Sequence, residues 1–144
     1  MRRLVALLAV TLGACALAGP ANAAAPRYIM VTGSGISKPI LLANWRENMA
    51  LEMAIANAPK AAHPPGLSVR PRLELWLFWG WSERRPKRPE QANQHGWLYL
   101  AVGSQPALVA LRVNGTSKLR VVSAPLERIL ERHGVPTRQR LLAG

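Results

Sequence analysis

The sequence predicts one small α+β domain, an antiparallel sheet of about five to six strands with two helices packed on it. Its 144 residues are 49% hydrophobic and 18% charged, which suits one globular domain and excludes collagenous, coiled-coil and fully disordered chains. Several short segments rich in β-formers alternate with turn residues. Two further segments have the apolar spacing and the end signals of helices.

The domain is predicted to begin with a hairpin. Residues 27–32 (RYIMVT) favour a strand that ends at the flexible turn Gly33-Ser34-Gly35. Residues 38–43 (KPILLA) favour a second short strand, with Pro39 at its start, where a missing backbone donor is tolerated.

A helix is predicted from Trp45 to about Ala58. Asn44 and Glu47 have the spacing of a capping box, in which each side chain satisfies the backbone N–H of the other, and Pro59 ends the helix. One stripe is apolar and we expect it to face the core, with an adaptable Met-rich binding face as the alternative. The stripe consists of Trp45, Met49, Met53 and Ala56, and Ile55 borders it.

The next two strands are predicted to form a long hairpin with a basic tip. Residues 60–72 are rich in proline and form a loop, and residues 73–81 (LELWLFWGW) are apolar on both alternating faces, which is typical of a central strand. Residues 82–95 (SERRPKRPEQANQH) have the composition of a mobile loop. Residues 96–102 (GWLYLAV) form the following strand.

Asn114-Gly115 predicts a last hairpin that joins residues 107–113 to residues 116–122. We expect a three-residue loop, which pairs Val109 with Leu119, because a two-residue loop would mix charge into the apolar face. This register gathers three cations on the outer face of the hairpin: Arg112, Lys118 and Arg120.

A second helix is predicted from Ala124 to His133, with Ser123 as its cap and Gly134 after its end. Its apolar stripe consists of Leu126, Ile129 and Leu130, and Val135 is expected to fold back onto it. The domain then extends over residues 27–136, and residues 137–144 form a basic, frayed tail.

The amino terminus has the three-part layout of a secretory signal, with two cations, an apolar run over residues 4–18 and a small-residue cleavage site. Residues 1–23 are therefore predicted to be a signal peptide and residues 24–26 a short tether. The apolar run is shorter than the roughly 20 residues of a transmembrane helix, so no span is expected in the mature protein. The predicted location is the periplasm or the extracellular space.

A lipoprotein signal remains the alternative. Leu12-Gly13-Ala14-Cys15 resembles the bacterial lipobox, in which case residues 1–14 are removed and Cys15 becomes a lipidated first residue that anchors the protein to a membrane. Cys15 is the single cysteine of the chain, so on either route the folded domain has neither a disulfide nor a free thiol.

The charge balance predicts an anionic partner. The chain has 19 Lys and Arg residues against seven acids, a net charge of +12, which becomes +10 without Arg2 and Arg3. A basic exported protein meets anionic envelope polymers or acidic proteins, and no nucleic acid is expected there. We expect an exported, non-enzymatic cell-envelope protein that binds an anionic component through its basic loop. The candidate binding residues are Arg84, Arg85, Lys87, Arg88, Arg112, Lys118 and Arg120.

Two other functions stay open. The alternative is a protein–protein interaction or inhibitor module that uses a sheet edge or an aromatic face, although the tryptophans are more often core fillers. The aromatic face consists of Trp76, Trp79, Trp81 and Trp97. The third is a hydrolase that uses Glu74, the one acid within an apolar strand. The preferred interpretation of Glu74 is an edge position or an ion pair with Arg70 or Arg72.

Several chemistries are disfavoured by the inventory of side chains. All seven acids are Glu, and the absence of Asp argues against calcium sites and phosphoryl transfer. His63, His95 and His133 have no motif neighbours, so neither a catalytic triad nor a metal site nor a cofactor is predicted, and each His is expected to be structural or solvated.

Three segments carry a resemblance. TGSGISKPILL, followed by LELWLFWGW and NQHGWLYLA, resembles uncharacterised small exported bacterial proteins with a similar T-G-x-G-x-x-x-P-I opening. The resemblance covers most of the chain after the predicted signal and assigns no activity, ligand or catalytic residue.

Overall fold

The computed structural model describes residues 25–81 and 84–140. They form one six-stranded antiparallel sheet, in the order β2-β1-β3-β4-β5-β6, and two α-helices, so the predicted small α+β fold is confirmed. The elements are β1 Tyr28–Gly33, β2 Ile40–Leu42, α1 Trp45–Asn57, β3 Arg72–Phe78, β4 Gln94–Tyr99, β5 Leu108–Val113, β6 Thr116–Val121 and α2 Ala124–Arg132. The predicted signal peptide, the lipidation site Cys15 and the last four residues of the predicted tail lie outside the described residues.

The sheet is built from the three predicted hairpins. β1 pairs with β2, β3 with β4 and β5 with β6, and the antiparallel pairs β1–β3 and β4–β5 join the hairpins into one sheet. β3 lies between β1 and β4, so the strand that is apolar on both faces has the central position that its sequence predicts.

Both helices pack on one face of the sheet, where the main core lies. Leu51 and Ile55 of α1 and three residues of α2 contact the inward-facing leucines of β3 in this core. Val135 is fully buried in the same cluster, and its N–H donates to the carbonyl of Leu130, so it folds back onto α2 as expected. The α2 contribution consists of Leu126, Ile129 and Leu130.

Within the described residues, no α-helix packs on the opposite face, which we call the open face. Two small apolar clusters on this face are covered by loops. Leu67 and Ala61 pack against a cluster around Tyr99, and Trp81 and Ala92 pack against a cluster around Phe78. Side chains of β3 and β4 occupy the area between these covers.

The predicted core stripe of α1 is wrong. The buried residues of the helix are Asn48, Leu51 and Ile55, whereas Trp45 is 39% exposed and Met53 is 53% exposed. The Asn48 side-chain amide donates to the backbone carbonyls of Pro26, Arg27 and Leu42, and these bonds turn that side of the helix toward the sheet.

The predicted capping box is only half formed. The side-chain oxygen of Asn44 accepts from the backbone N–H groups of Arg46 at 3.0 Å and Glu47 at 3.4 Å. The Glu47 carboxylate instead contacts the Nε2 atom of His133 and lies 3.8 Å from Nη1 of Arg132, so it links the two helices.

The predicted register of the last hairpin is also wrong. The loop has two residues, with Ala110 opposite Leu119 and Val109 opposite Arg120. Asn114 and Gly115 both have positive φ, 51° and 78°, which is the backbone of a turn whose twist matches that of the strands. Arg120 is tolerated on the helix side because its guanidinium reaches past the edge strand and donates to the Ala58 carbonyl at 2.7 Å.

The first residues after the predicted domain boundary are not frayed. The Ala101 N–H donates to the Thr137 carbonyl at 2.8 Å, and the Gln139 N–H donates to the Ala101 carbonyl at 3.0 Å. Thr137 is buried, and its hydroxyl lies 3.1 Å from carboxylate oxygens of Glu127 and Glu131. The folded domain therefore extends at least to Gln139.

Candidate functional site

The topology brings the basic loop and the tip of the last hairpin to the same end of the sheet. β4 starts beside the place where β5 ends, and the Gln94 side-chain amide donates to the Arg112 carbonyl at 3.2 Å. We call this end the basic end and define it by five exposed cations: Arg84, Arg85, Lys87, Arg88 and Arg112.

The basic loop is locally ordered by hydrogen bonds. The Gln91 side-chain oxygen accepts from the backbone N–H groups of Lys87 and Arg88, both at 3.1 Å, within a short turn of 3₁₀ helix. At the base of the loop, Asn93 exchanges two 2.8 Å hydrogen bonds with the backbone of Trp79. The segment that its composition predicts to be mobile thus has a defined backbone path through these residues.

The three hairpin cations do not form the expected group. Arg112 lies on the open face, opposite Ser117, whereas Lys118 and Arg120 alternate to the helix side. Arg120 is further fixed by its bond to Ala58. The two-residue turn is the cause, since a shift of one residue exchanges the faces of a whole strand.

The four tryptophans of the predicted aromatic face are divided between two environments. Trp76 and Trp97 lie on the open face, and Trp81 packs edge-on against Phe78 with ring centroids 5.1 Å apart. Trp79 follows the end of β3, contacts the helix-side core and donates from Nε1 to the Gln94 side chain at 2.7 Å. No single face therefore contains all four rings.

His95 is the residue that sequence reasoning missed. β4 begins at Gln94 rather than at Gly96, which places His95 opposite Trp76 on the open face. Its ring stacks on Trp76 with centroids 4.0 Å apart and an interplanar angle of 13°, and lies 4.7 Å from Trp97. The residues QHGWLY do not alternate between polar and apolar, so the sequence carries no periodic signal that would have extended the strand to Gln94.

The indoles on the open face are already engaged by groups of this chain. His95 covers one face of Trp76, and the guanidinium carbon of Arg72 lies 5.8 Å from the Trp97 ring centroid. Trp76 Nε1 donates to the Thr32 hydroxyl at 2.9 Å. These contacts make the rings a packed cluster across β1, β3 and β4. They leave less indole surface free for stacking against a ligand.

Glu74 does not form the expected pair with a neighbouring arginine. Its Oε1 atom lies 4.0 Å from Nε2 of His95. Arg70 is buried elsewhere, where it donates to the carbonyls of Leu100 at 2.7 Å and of Gln105 and Pro106. A cavity of about 380 Å³ lies at the end of α2, lined by residues 131 and 134–140, and Glu74 is not part of it.

Burial and neighbouring charges act together on His95. Its Nε2 atom is buried and has no hydrogen-bond partner among the described residues. Burial lowers the pKa of His95 from its ordinary value; the Glu74 carboxylate opposes this shift, and the guanidinium groups of Arg112 and Arg72 add to it. The ring is therefore neutral at neutral pH.

Comparison of the chain with protein families, with curated proteins and with solved structures gives no match. Within residues 25–81 and 84–140, no three metal-ligating side chains converge, and no helix has the length and hydropathy of a membrane span. The site is therefore interpreted from its own geometry and charge.

Proposed function

We propose that this chain is an exported, non-enzymatic protein of the cell envelope that binds an anionic envelope polymer through the basic end of its sheet. The observation that carries the proposal is the gathering of five exposed cations, four from one loop and Arg112 from the next hairpin. Exposed cations attract a polyanion over a distance that salt screening limits to about 10 Å at 0.1 M ionic strength. Export rests on the signal-like residues 1–23.

The local order of the basic loop supports binding. The Gln91 side chain already holds the backbone of Lys87 and Arg88. The loop therefore loses less conformational entropy when a ligand binds, and the free energy of binding is more favourable. The cations themselves remain exposed, which suits contact with many anionic groups along an extended chain.

A polymer fits the basic end better than a folded acidic protein does. Protein interfaces depend on aromatic or aliphatic anchors buried near their centre. The basic end presents cations, with Val113 as a half-exposed apolar neighbour. This composition favours a partner that is recognised through repeated negative charge.

Replacing the four loop cations by Gln is expected to weaken binding to dextran sulfate by roughly 30-fold, since four exposed charge contacts at about 0.5 kcal/mol each give about 2 kcal/mol. The variant carries Arg84→Gln, Arg85→Gln, Lys87→Gln and Arg88→Gln. Retention on a dextran sulfate column is measured across a salt gradient, with neutral dextran as the reference matrix.

A matched variant removes the same charge elsewhere and is expected to retain most of the binding. It replaces four exposed cations outside the basic end by Gln: Lys38, Arg46, Arg128 and Arg140. Equal losses in the two variants, or retention that does not respond to salt, would contradict the proposal. A stoichiometric, salt-resistant complex with an acidic envelope protein would assign the basic end to a protein partner instead.

Export is tested separately by the mass of the protein recovered from the cell envelope and the medium. A chain that begins at Ala24 is expected for the soluble route and an acylated Cys15 for the lipoprotein route. An intact chain that begins at Met1 and remains in the cytosol would contradict the proposed envelope function.

A further inference from the structure

One row of side chains on the open face crosses four strands at the basic end. Trp76 lies opposite His95, and Arg112 lies opposite Ser117. The β4–β5 register, which pairs Gly96 with Leu111, continues to place His95 beside Arg112. Since directly opposed side chains have Cβ atoms about 5 Å apart, Arg112 has the imidazole of His95 as its neighbour on one side and the hydroxyl of Ser117 on the other.

This row carries positive charge without a matching acid. Arg112 has no ion pair within the described chain, and the charged groups that face His95 are Glu74 and Arg72 on β3 and Arg112 on β5. Glu74 is 40% exposed and stands 4.0 Å from the buried Nε2 atom, and its effect on the pKa of His95 is larger than that of either guanidinium group alone. Protonation of His95 is opposed mainly by burial, and the guanidinium groups of Arg112 and Arg72 add smaller contributions.

An oxyanion placed beside Arg112 would favour the protonated form of His95. It offsets the repulsion from the guanidinium and attracts the imidazolium directly, so the anion and the proton each favour the binding of the other. The hydroxyl of Ser117 is an additional donor on the next strand.

We propose that Arg112, His95 and Ser117 form an anion subsite, which takes one sulfate, phosphate or carboxylate group of the ligand together with a proton from solvent on His95. The subsite rests on the proposed function and refines it, because it names the ligand group that is bound and makes its affinity depend on pH. Binding strengthens as the pH falls through the pKa of His95 in the complex and levels off below the lower pKa of His95 in the free protein.

The pKa of His95 is expected to be higher in sulfate than in chloride at equal ionic strength, by about half a unit, which corresponds to roughly threefold tighter sulfate binding by the protonated form. Sulfate is the probe because its charge is constant over the titration range. The measurement is an NMR titration of the imidazole protons of His95 in the two salts.

Two variants separate the subsite from general charge effects. Arg112→Gln is expected to raise the pKa of His95 in chloride and to abolish the difference between sulfate and chloride. Lys118→Gln removes the same charge from the same hairpin on the opposite face, so the difference should persist. Equal His95 pKa values of the unmodified protein in the two salts, or a sulfate effect that survives Arg112→Gln, would overturn the subsite.

Failure of the subsite and failure of the proposed function have different signatures. Salt-sensitive retention on dextran sulfate without a sulfate effect on His95 contradicts the subsite alone. A sulfate effect that depends on Arg112, combined with no retention on dextran sulfate, supports the subsite and contradicts the polymer as ligand.

Discussion

Replacing Asn48 by Leu is expected to lower the free energy of unfolding by about 3 kcal/mol. Asn48 is fully buried, and its Nδ2 atom lies 3.2 Å from the carbonyl oxygens of Pro26 and Arg27 and 3.1 Å from that of Leu42. Leucine keeps the branching of the side chain but is larger than asparagine, so it adds overpacking and leaves these carbonyls without their donor. The change is measured by urea denaturation at neutral pH.

Asn57→Leu is the matched control, because Asn57 is on the same helix and exposed. Its effect should stay within about 0.5 kcal/mol. If Asn48→Leu were equally mild, α1 would not be held to the start of β1 and the end of β2 by this amide.

Asn48 also explains why the orientation of α1 was not predictable from hydropathy. The helix has two apolar stripes: Trp45, Met49 and Met53 outline one, and Leu51 and Ile55 mark the other. A periodicity argument prefers the larger side chains and counts Asn as polar. The buried stripe is the one that contains Asn48, because the backbone ends of β1 and β2 supply acceptors that the helix sequence does not reveal.

The fold class and the three hairpins were predictable because their signals are local. Gly33-Ser34-Gly35 and Asn114-Gly115 specify turns within a few residues, and the apolar run of β3 specifies a central strand. The register of β5 with β6 was not predictable from charge pattern. The Arg120 guanidinium donates to the carbonyl of Ala58, 62 residues earlier in the chain. This bond offsets the cost of a charged side chain on the apolar face, which was the argument against the two-residue turn.

The candidate site also has one part that the sequence predicts and one part that depends on contacts between distant residues. The loop cations are visible in the composition of residues 82–95, and hairpin topology alone brings them to one end of the sheet. The His95 cluster requires the pairing of β3 with β4, since Trp76 and His95 are 19 positions apart and meet only through that register. Arg70 likewise donates hydrogen bonds to backbone carbonyls of residues 100–106, and no spacing rule in the sequence predicts these bonds.

Replacing Gly96 by Ala is expected to destabilise the protein by about 3 kcal/mol, by overpacking a site at the centre of the sheet. A Cβ at this position would lie 2.5 Å from the Ala110 carbonyl oxygen and 2.5 Å from Cδ2 of Leu111. The backbone of β4 approaches β5 closely here, and His95 and Trp97 are the flanking residues. Thermal and urea unfolding measure the loss, and the His95 NMR signal reports whether the ring still stacks on Trp76.

A double-mutant cycle with Leu111→Ala separates the two contacts. Truncating Leu111 removes the clash with a flexible side chain but leaves the clash with the Ala110 carbonyl, so the double variant should recover less than half of the loss caused by Gly96→Ala. Full recovery would show that side-chain packing alone requires glycine at position 96. Partial recovery would instead show that glycine is required at position 96 because β4 and β5 lie close together there. The separation of these strands also sets the distance between His95 and Arg112. The anion subsite would then depend on Gly96, which touches no ligand.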